Sequence, residues 1–312
     1  KLPECLTKWQ QECKIILPIF VNQNEIMKKA SLKIFLLLSS VFLFSFAVSR
    51  IEPKPAFSGI YVDNFNLICG NKAKEDSLIK FCQKEQINWV YFYDLNNIES
   101  AKLAAIVSKF HSLNIKASGV YVSTTSLQKR KDYNNTRIKA NERLDGFNYE
   151  NEYWNNSGTG ETWRSTLLNS WGYTSQRGLK NDFYIGFFKN SGVKDTTQAN
   201  FMVSTSNRAL IHCYIDSARM ASKDGAFTYV QERLSLLGTA AIKKGKVYNV
   251  EIIFAKSYKI DSETTITNNW FNYNSTTTAY NKVKSSAERL NWVGKKGINI
   301  EGKMLYNYSN FR

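Results

Sequence analysis

Histidine is scarce in this chain, whose 312 residues contain only His111 and His212. Neither lies near a serine or cysteine placed as a nucleophile, which argues against a Ser–His–Asp hydrolase. The same shortage argues against histidine-rich metal sites. His111 falls in a stretch with helical spacing, where a surface or packing role is expected.

Cysteine is sparse as well, with five in the whole chain and three after residue 49: Cys69, Cys82 and Cys213. Their spacing fits no zinc-binding pattern, and their number is too small for a disulfide scaffold. Cys69 and Cys82 fit equally well as a pair formed in an oxidising compartment and as buried thiols. A glycine-rich phosphate loop is also missing. Any chemistry must therefore depend on carboxylates, tyrosines and amides, and we expect neither a cofactor nor a metal.

The N-terminal part has the pattern of a targeting sequence. Met27 opens a short basic run, the almost wholly apolar stretch Ile34–Ala47 follows, and small residues come next, which is typical of a signal peptide over residues 27–49. The apolar stretch is shorter than the ~20 residues of a membrane-spanning helix, although an uncleaved anchor is the alternative. Residues 1–26 are interpreted as an upstream segment, non-native or disordered. The expected mature protein, residues 50–312, is secreted or periplasmic and has no stable membrane span.

The chain carries a formal net charge of +16. Such a balance favours acidic partners, among them nucleic acid, anionic lipid and acidic glycans. Basic and aromatic residues are scattered along the sequence rather than clustered, so we expect a solvated basic surface and no nucleic-acid groove.

Strand-like and helix-like segments alternate from Ser58 to the end of the chain, and few prolines and no Ser/Gly-rich linker interrupt them. Residues 50–312 also have a length close to the ~250 residues of a (β/α)8 barrel. The sequence therefore predicts a single-domain α/β protein with a (β/α)8 TIM barrel, and an open doubly wound sheet is the alternative. The weakest helix prediction is Ser191–Asn207. The predicted strands are Gly59–Phe65, Asn88–Leu95, Ile115–Ser123, Leu144–Trp154, Asp182–Phe188, Ala209–Asp216, Lys246–Ala255 and Ile300–Tyr308.

The fourth predicted strand carries the most informative pattern. Alternate side chains of a strand share a face, so Asn148, Glu150 and Glu152 point one way. The aromatic set Phe147, Tyr149 and Tyr153 points the other way, towards the helices of a barrel. Two acids and an amide inside a barrel are costly unless they are paired or functional. Neighbouring carboxylates also push their pKa values apart, which suits one of them to act as a general acid; a solvated acidic edge strand is the alternative.

This segment resembles the fourth-strand signature of family 18 glycoside hydrolases, the chitinases and endo-β-N-acetylglucosaminidases. That signature reads Asp-Gly-x-Asp-x-Asp-x-Glu and is usually followed by Tyr. Asp145, Gly146, Glu152 and Tyr153 match it, whereas Asn148 and Glu150 stand where the family has aspartates. Further resemblance lies in Tyr61 on the first strand, Tyr214 on the sixth and Tyr306 on the eighth, where the family has tryptophan.

The resemblance implies a secreted hydrolase that cleaves N-acetylglucosamine-containing glycans with retention of configuration. Glu152 would be the general acid and then the base, and the substrate's own acetamide would attack the anomeric carbon. Glu150 would orient that acetamide, and Tyr214 would donate to its oxygen. The resemblance places the remaining site residues in substrate binding: Asn148, Asp145, Tyr61 and Tyr306.

Two other functions remain open on the sequence. The departures at Asn148, Glu150 and Tyr306 are compatible with a barrel of the same family that binds glycans without cleaving them. An unrelated barrel hydrolase that uses the Glu150/Glu152 pair differently is the third hypothesis.

Overall fold

The computed structural model describes residues 55–155, 162–188, 194–256 and 268–311, with the short segments 259–260 and 264–265. The predicted upstream segment and signal peptide, residues 1–26 and 27–49, lie outside these residues. In the part that is described, no helix has both the length and the apolar character needed to cross a membrane.

Within these residues, eight parallel strands pair in chain order and the last pairs with the first, so the sheet closes into a barrel. The strands are short and almost wholly buried, as expected for parallel strands covered by helices. The predicted TIM barrel is therefore confirmed and the open sheet is excluded. The strands are β1 (Phe57–Val62), β2 (Trp89–Phe92), β3 (Lys116–Tyr121), β4 (Gly146–Tyr149), β5 (Lys180–Ile185), β6 (Arg208–His212), β7 (Tyr248–Ala255) and β8 (Ile298–Tyr306).

Helices follow the strands around the outside. Polar side chains start several of them: Asn71, Ser123 and Ser275 each accept the main-chain N–H three residues further on, which stabilises a helix start by about 1 kcal/mol. The least certain predicted helix exists as α5. The described helices are α1 (Lys72–Lys84), α2 (Ser100–Ser112), α3 (Thr124–Thr136), α4 (Thr162–Ser175), α5 (Asp195–Thr205), α6 (Ser217–Ala221), α7 (Gly225–Lys243), α8 (Asn268–Phe271), α9 (Thr276–Arg289) and α10 (Tyr308–Phe311).

Strand β4 separates polar from aromatic side chains, as its alternation predicted. Asn148 faces the barrel interior, where the Tyr61 hydroxyl donates to its Oδ1 at 3.0 Å. Phe147 faces outward and its ring stacks on Tyr173 of α4, with centroids 5.6 Å apart. Asn148 thus lies in the barrel interior and Phe147 in the helix layer.

The strand is shorter than the sequence predicted. It ends at Tyr149 and not at Trp154, and a short 3-10 helix, Tyr153–Asn155, follows. Glu152 therefore belongs to the connection between β4 and α4 and not to the strand itself. Strict alternation consequently does not fix the direction of its side chain.

A buried ion pair lies in the barrel interior, towards the amino end. Both Asp182 oxygens accept from Arg208, at 2.8 Å from Nε and 3.0 Å from Nη2. The Tyr91 hydroxyl donates to the same carboxylate at 2.6 Å. The Arg208 guanidinium lies over the adjacent rings of Phe57 and Trp89, 4.3 and 4.2 Å from their centroids. Paired and stacked in this way, the two charges are compensated although neither is more than 5% exposed.

A repeated side-chain contact joins pairs of strands at the amino end of the barrel. Asn88, Asp145 and Asn207 each stand immediately before an even-numbered strand. Each side-chain oxygen accepts the main-chain N–H of the second residue of the preceding odd-numbered strand. The pairs are Asn88 with Ser58 at 2.9 Å, Asp145 with Ala117 at 2.8 Å, and Asn207 with Asn181 at 2.8 Å. We call this set the rim clamps.

Asp145 is thus a structural residue at the amino end of β4, and the prediction that it binds substrate has no support in this position. Its carboxylate also pairs with His111 of α2 at 2.7 Å. Of the four residues that match the motif, Asp145 and Glu152 lie beyond opposite ends of β4. A sequence motif identifies residues, but it does not show which of them lie at the carboxyl end of the strand.

Replacing Asp145 tests this structural role. Asp145→Asn keeps an oxygen for the Ala117 N–H, as Asn88 and Asn207 do, so we expect stability and any catalysis to change little. Asp145→Ala leaves that N–H without its acceptor and should lower the free energy of unfolding by about 1–3 kcal/mol, measured by urea denaturation. A loss of glycan turnover in Asp145→Asn with unchanged stability would instead support substrate binding.

The cysteines of the described chain are free thiols: Cys69 is half-buried, and Cys82 and Cys213 are buried. The buried-thiol interpretation is therefore confirmed over the disulfide. Burial raises the pKa of the Cys82 thiol to about 12, so it stays protonated and unreactive at neutral pH.

Candidate functional site

The carboxyl ends of barrel strands hold the active site in essentially every characterised TIM-barrel enzyme, and most of the predicted site residues meet there. Tyr61 contacts Asn148 by the hydrogen bond described above and lies against Tyr306 at 5.9 Å between ring centroids. Tyr306 in turn lies 5.8 Å from Tyr214. The negative charge of Glu150 acts on both Tyr61 and Tyr214. Five of the seven predicted residues therefore form one cluster.

Glu150 follows directly on β4 and turns into this cluster. The Tyr93 hydroxyl donates to its Oε2. Burial, and secondarily the charge of Glu152, raises the pKa of Glu150 to about 7, although the Tyr93 hydrogen bond opposes the shift. A carboxyl group with such a pKa is poised to change its charge at neutral pH, which is typical of a catalytic position.

Glu152 lies two residues beyond Glu150 and is exposed. Its charge reaches Glu150, because it contributes to the raised pKa of that residue. One carboxyl group of the pair is therefore enclosed and the other is accessible from solvent. Different environments of this kind let two neighbouring carboxyl groups take different roles.

Asn148 presents an unused donor at the same place. Its Oδ1 accepts from Tyr61, whereas its Nδ2 is buried and has no hydrogen-bond partner among the described residues. A buried polar atom without a partner is uncommon and calls for an explanation such as a bound water or ligand. The amide is positioned to donate to a group that enters the barrel mouth.

Sequence reasoning missed three residues of this end of the barrel: Tyr93, Tyr184 and His212. Tyr93 could have been found from its alternation with Trp89 and Tyr91, which puts all three in the interior. Tyr184 could have been found from its alternation with Asp182 on the fifth strand. His212 follows from Tyr214 in the same way, because the predicted strand Ala209–Asp216 contains both residues.

His212 ends β6 beside Tyr214, with ring centroids 4.7 Å apart. The imidazole is only 7% exposed. Burial, reinforced by the charge of Arg233, holds its pKa well below the usual range. The ring is therefore neutral at physiological pH.

A separate cavity of about 310 Å³ opens at the other end of the barrel. Its lining includes Trp89, Lys116, Lys180 and Arg208, all at the amino ends of strands. None of the clustered tyrosines or carboxylates reaches it. Since residues at this face of a TIM barrel serve stability and not chemistry, we place the candidate site at the carboxyl end.

The described residues contain no group of three or more His, Cys, Asp or Glu side chains that could hold a metal ion. The donors that meet at the site are tyrosine hydroxyls, one amide and two carboxyl groups. Such an arrangement can transfer a proton and can hydrogen-bond a polar ligand.

The sequence matches no family model and no curated protein. Among solved structures, an active-site mutant of Rhizomucor miehei β-1,3-glucanosyltransferase in complex with laminaritriose is similar, with a TM-score of 0.52 at 11% identity. The alignment covers 80% of this chain and 86% of that one. The glycoside hydrolase family 17 β-1,3-glucanosyltransferase from the same organism gives 0.51, again at 11% identity and the same coverage.

A thermostable chitinase domain from Pyrococcus furiosus gives a TM-score of 0.49 at 10% identity, over 82% of this chain and 85% of that one. The likeness to the glucanosyltransferase shows the fold alone. The chain has a TIM barrel like that of a glycoside hydrolase, and the likeness does not single out family 18.

Proposed function

We propose that this chain is a glycoside hydrolase that cleaves N-acetylglucosamine-containing glycans. The observation that carries the proposal is the Glu150/Glu152 pair at the carboxyl end of the barrel, with one group enclosed by tyrosines and the other accessible. The resemblance of the fourth strand to family 18 supports the substrate class. The glycoside-hydrolase-like fold supports the reaction class.

Glu152 is the general acid in this proposal. Its accessible position suits proton transfer to the glycosidic oxygen of a bound glycan. The acetamide oxygen of the substrate attacks the anomeric carbon as the bond to the leaving group breaks, and Glu152 then deprotonates the incoming water. Two displacements at the same carbon retain the configuration, without a carboxylate nucleophile.

Glu150 orients the acetamide of the substrate during this step. In its ionised form the carboxylate accepts from the acetamide N–H and stabilises the positive charge that develops on the ring formed with the anomeric carbon. Tyr214 donates to the acetamide oxygen, and the unused Asn148 Nδ2 donates to the glycan. Tyr61 and Tyr306 offer aromatic faces to the sugar.

The departure from the family motif at Glu150 is compensated locally. Glutamate is one methylene longer than the family's aspartate, and catalytic geometry tolerates only small displacements. The hydrogen bond from Tyr93 fixes the end of the longer side chain. We propose that Tyr93 and Glu150 together occupy the role of the family's aspartate. We propose further that residues 27–49 export the protein.

A glycan-binding barrel without turnover is the second candidate. It is favoured by Asn148, which cannot carry the charge of the family's aspartate and whose Nδ2 is free to hold a ligand. This candidate predicts saturable binding of oligosaccharides by calorimetry and no product.

Mass spectrometry of reaction mixtures separates the two. Residues 50–312 are incubated with chitooligosaccharides, with an N-linked glycopeptide and, as a glycan without acetamides, with laminari-oligosaccharides. Cleavage confined to the first two supports the acetamide-assisted mechanism. Cleavage of laminari-oligosaccharides would contradict it, since those substrates have no acetamide to attack the anomeric carbon, and binding without any cleavage would favour the second candidate.

The pH dependence of turnover reports the role of Glu150. Its folded-state pKa is about 7, and the proposed mechanism needs it ionised. We expect kcat/KM to rise about tenfold per pH unit below 7. The rising limb should be absent in Glu150→Gln. A limb that instead falls above pH 7 and is lost in Glu150→Gln would make Glu150 the general acid.

Tyr93→Phe sharpens this test. The Tyr93 hydrogen bond lowers the Glu150 pKa, so its removal should move the rising limb of kcat/KM to higher pH. Tyr91→Phe is the matched control, because its hydroxyl bonds to Asp182 and not to Glu150. An unmoved limb in Tyr93→Phe would show that this hydrogen bond does not tune the site.

A further inference from the structure

His212 is held between two tyrosine hydroxyls. Its Nδ1 lies 3.2 Å from the Tyr184 hydroxyl of β5, and its Nε2 lies 3.2 Å from the Tyr229 hydroxyl of α7. A neutral imidazole has one donor and one acceptor nitrogen. The ring must therefore donate to one tyrosine and accept from the other, so the two hydroxyls take opposite orientations.

The charge of the buried Arg233 helps to keep the His212 imidazole neutral, because it lowers the pKa of that ring. The guanidinium is 2% exposed. Its Nη1 donates to the carbonyls of Gly186 at 2.7 Å and His212 at 2.9 Å, and its Nη2 donates to the Tyr229 carbonyl at 2.7 Å. A buried cation fixed next to the imidazole disfavours a second positive charge there.

The surrounding charges also select the direction of the hydrogen bonds. Arg233 lies 4.8 Å from the centroid of the Tyr229 ring, and Arg219 lies 5.3 Å from it. Both charges act to lower the pKa of the Tyr229 hydroxyl, although burial raises it overall. The two cations beside Tyr229 favour its O–H as the donor to Nε2, which leaves the ring hydrogen on Nδ1.

We propose that His212 is a positioning residue, which in its Nδ1–H form donates to the Tyr184 oxygen and so directs the Tyr184 hydroxyl hydrogen at a glycan in the barrel mouth. Tyr184 faces the interior as Asp182 does, one layer nearer the carboxyl end, and only 4% of it is exposed. Its charge environment overlaps with those of Tyr61 and Tyr214. The site thereby gains a second tyrosine donor beside Tyr214, for an acceptor oxygen of the substrate.

This relay, from Tyr229 through His212 to Tyr184, can be measured in the free protein. The chain has only two histidines, so nitrogen-15 spectra of the imidazoles in wild type and in His111→Gln assign His212 directly. We expect a neutral Nδ1–H ring at pH 7, the tautomer opposite to the one that a free histidine side chain prefers in water. Tyr229→Phe should convert it to Nε2–H. A wild-type ring that is protonated or in the Nε2–H form overturns the relay.

The use of Tyr184 rests on the proposed function and is tested by kinetics. Tyr184→Phe and Tyr229→Phe should each raise KM about tenfold with kcat nearly unchanged, as for a hydrogen bond made in both ground and transition state. The double variant should be no worse than either single variant, because both remove the same donor. Tyr173→Phe is the matched control for loss of a tyrosine hydroxyl, because the Tyr173 hydroxyl on α4 donates to Asn135 of α3, outside the barrel interior.

The outcomes are distinguishable. Additive effects of Tyr184→Phe and Tyr229→Phe, or an unchanged KM in Tyr229→Phe, would overturn the positioning role even if glycans are cleaved. If the wild type cleaves no glycan, the proposed hydrolase fails, and the imidazole spectra still decide the relay. Oligosaccharide affinity by calorimetry then replaces KM in the same set of variants.

Discussion

Glu152→Gln should leave the barrel folded and lower kcat by about 10²–10⁴-fold, because an amide can neither donate nor accept the catalytic proton. The side chain is exposed and lies outside β4, so its replacement should change the free energy of unfolding by no more than about 0.5 kcal/mol. The measurement is a time course on chitooligosaccharides with far-UV circular dichroism and urea denaturation on the same preparation.

Two further variants make this result specific. Glu232→Gln, on the surface of α7, is the matched control for removal of one negative charge and should leave turnover unchanged. Glu150→Gln should also lower kcat, but it alone should remove the rising limb of the pH profile. A Glu152→Gln protein with full turnover would remove Glu152 from the mechanism and shift attention to Glu150.

Asp182→Ala should destabilise the barrel severely, by about 3–5 kcal/mol, because it leaves a buried guanidinium without compensation. The substitution removes the carboxylate that accepts from Arg208 and Tyr91. The nearest remaining acid is Glu251, whose Oε1 lies 3.9 Å from Arg208 Nη1. Burial raises the pKa of Glu251 well above its usual range, so Glu251 is a poor substitute for Asp182.

The double variant Asp182→Leu/Arg208→Met keeps the test decisive if the single variant does not fold. Replacing a buried ion pair by apolar side chains of similar size is often neutral or stabilising, so the double variant should recover most of the loss. Urea denaturation measures both. A single variant that loses less than about 1 kcal/mol, or a double variant as unstable as Asp182→Ala, would contradict the importance of the pair.

Much of the fold could be predicted from local sequence, because each barrel strand and helix has its own pattern. All eight strands were predicted, and even α5 appeared within the polar stretch where its prediction was weakest. The inward direction of Asn148 was predicted from alternation alone. The end of β4 was not, since Glu150 to Trp154 keep the alternating pattern although the chain turns into a 3-10 helix.

Candidate site residues could be predicted from sequence mainly where several of them lie in one short segment. Glu150 and Glu152 were singled out because they lie within the same eight-residue motif, and Asp145 was singled out with them although the structure places it at the amino end of β4. Alternation places Tyr93 and His212 on the interior faces of their strands, but it does not identify their partners, which come from elements far away in the sequence. Which side chains meet in a barrel depends on how neighbouring strands are staggered, and composition and periodicity do not record that offset.

The rim clamps hold the relative offset of neighbouring strands. Three of the eight strand-to-strand interfaces, β1 with β2, β3 with β4 and β5 with β6, carry the same side-chain-to-backbone contact at one relative offset. A slip of β4 by a single residue would break the Asp145 contact and reverse the two faces of the strand. Phe147 and Tyr149 would then occupy the interior, and Asn148 would face the helices. Residues at the amino end of the barrel therefore fix the strand register, which determines the side chains that face the interior at the carboxyl end. Mutations there can alter ligand recognition without touching any group that contacts the ligand.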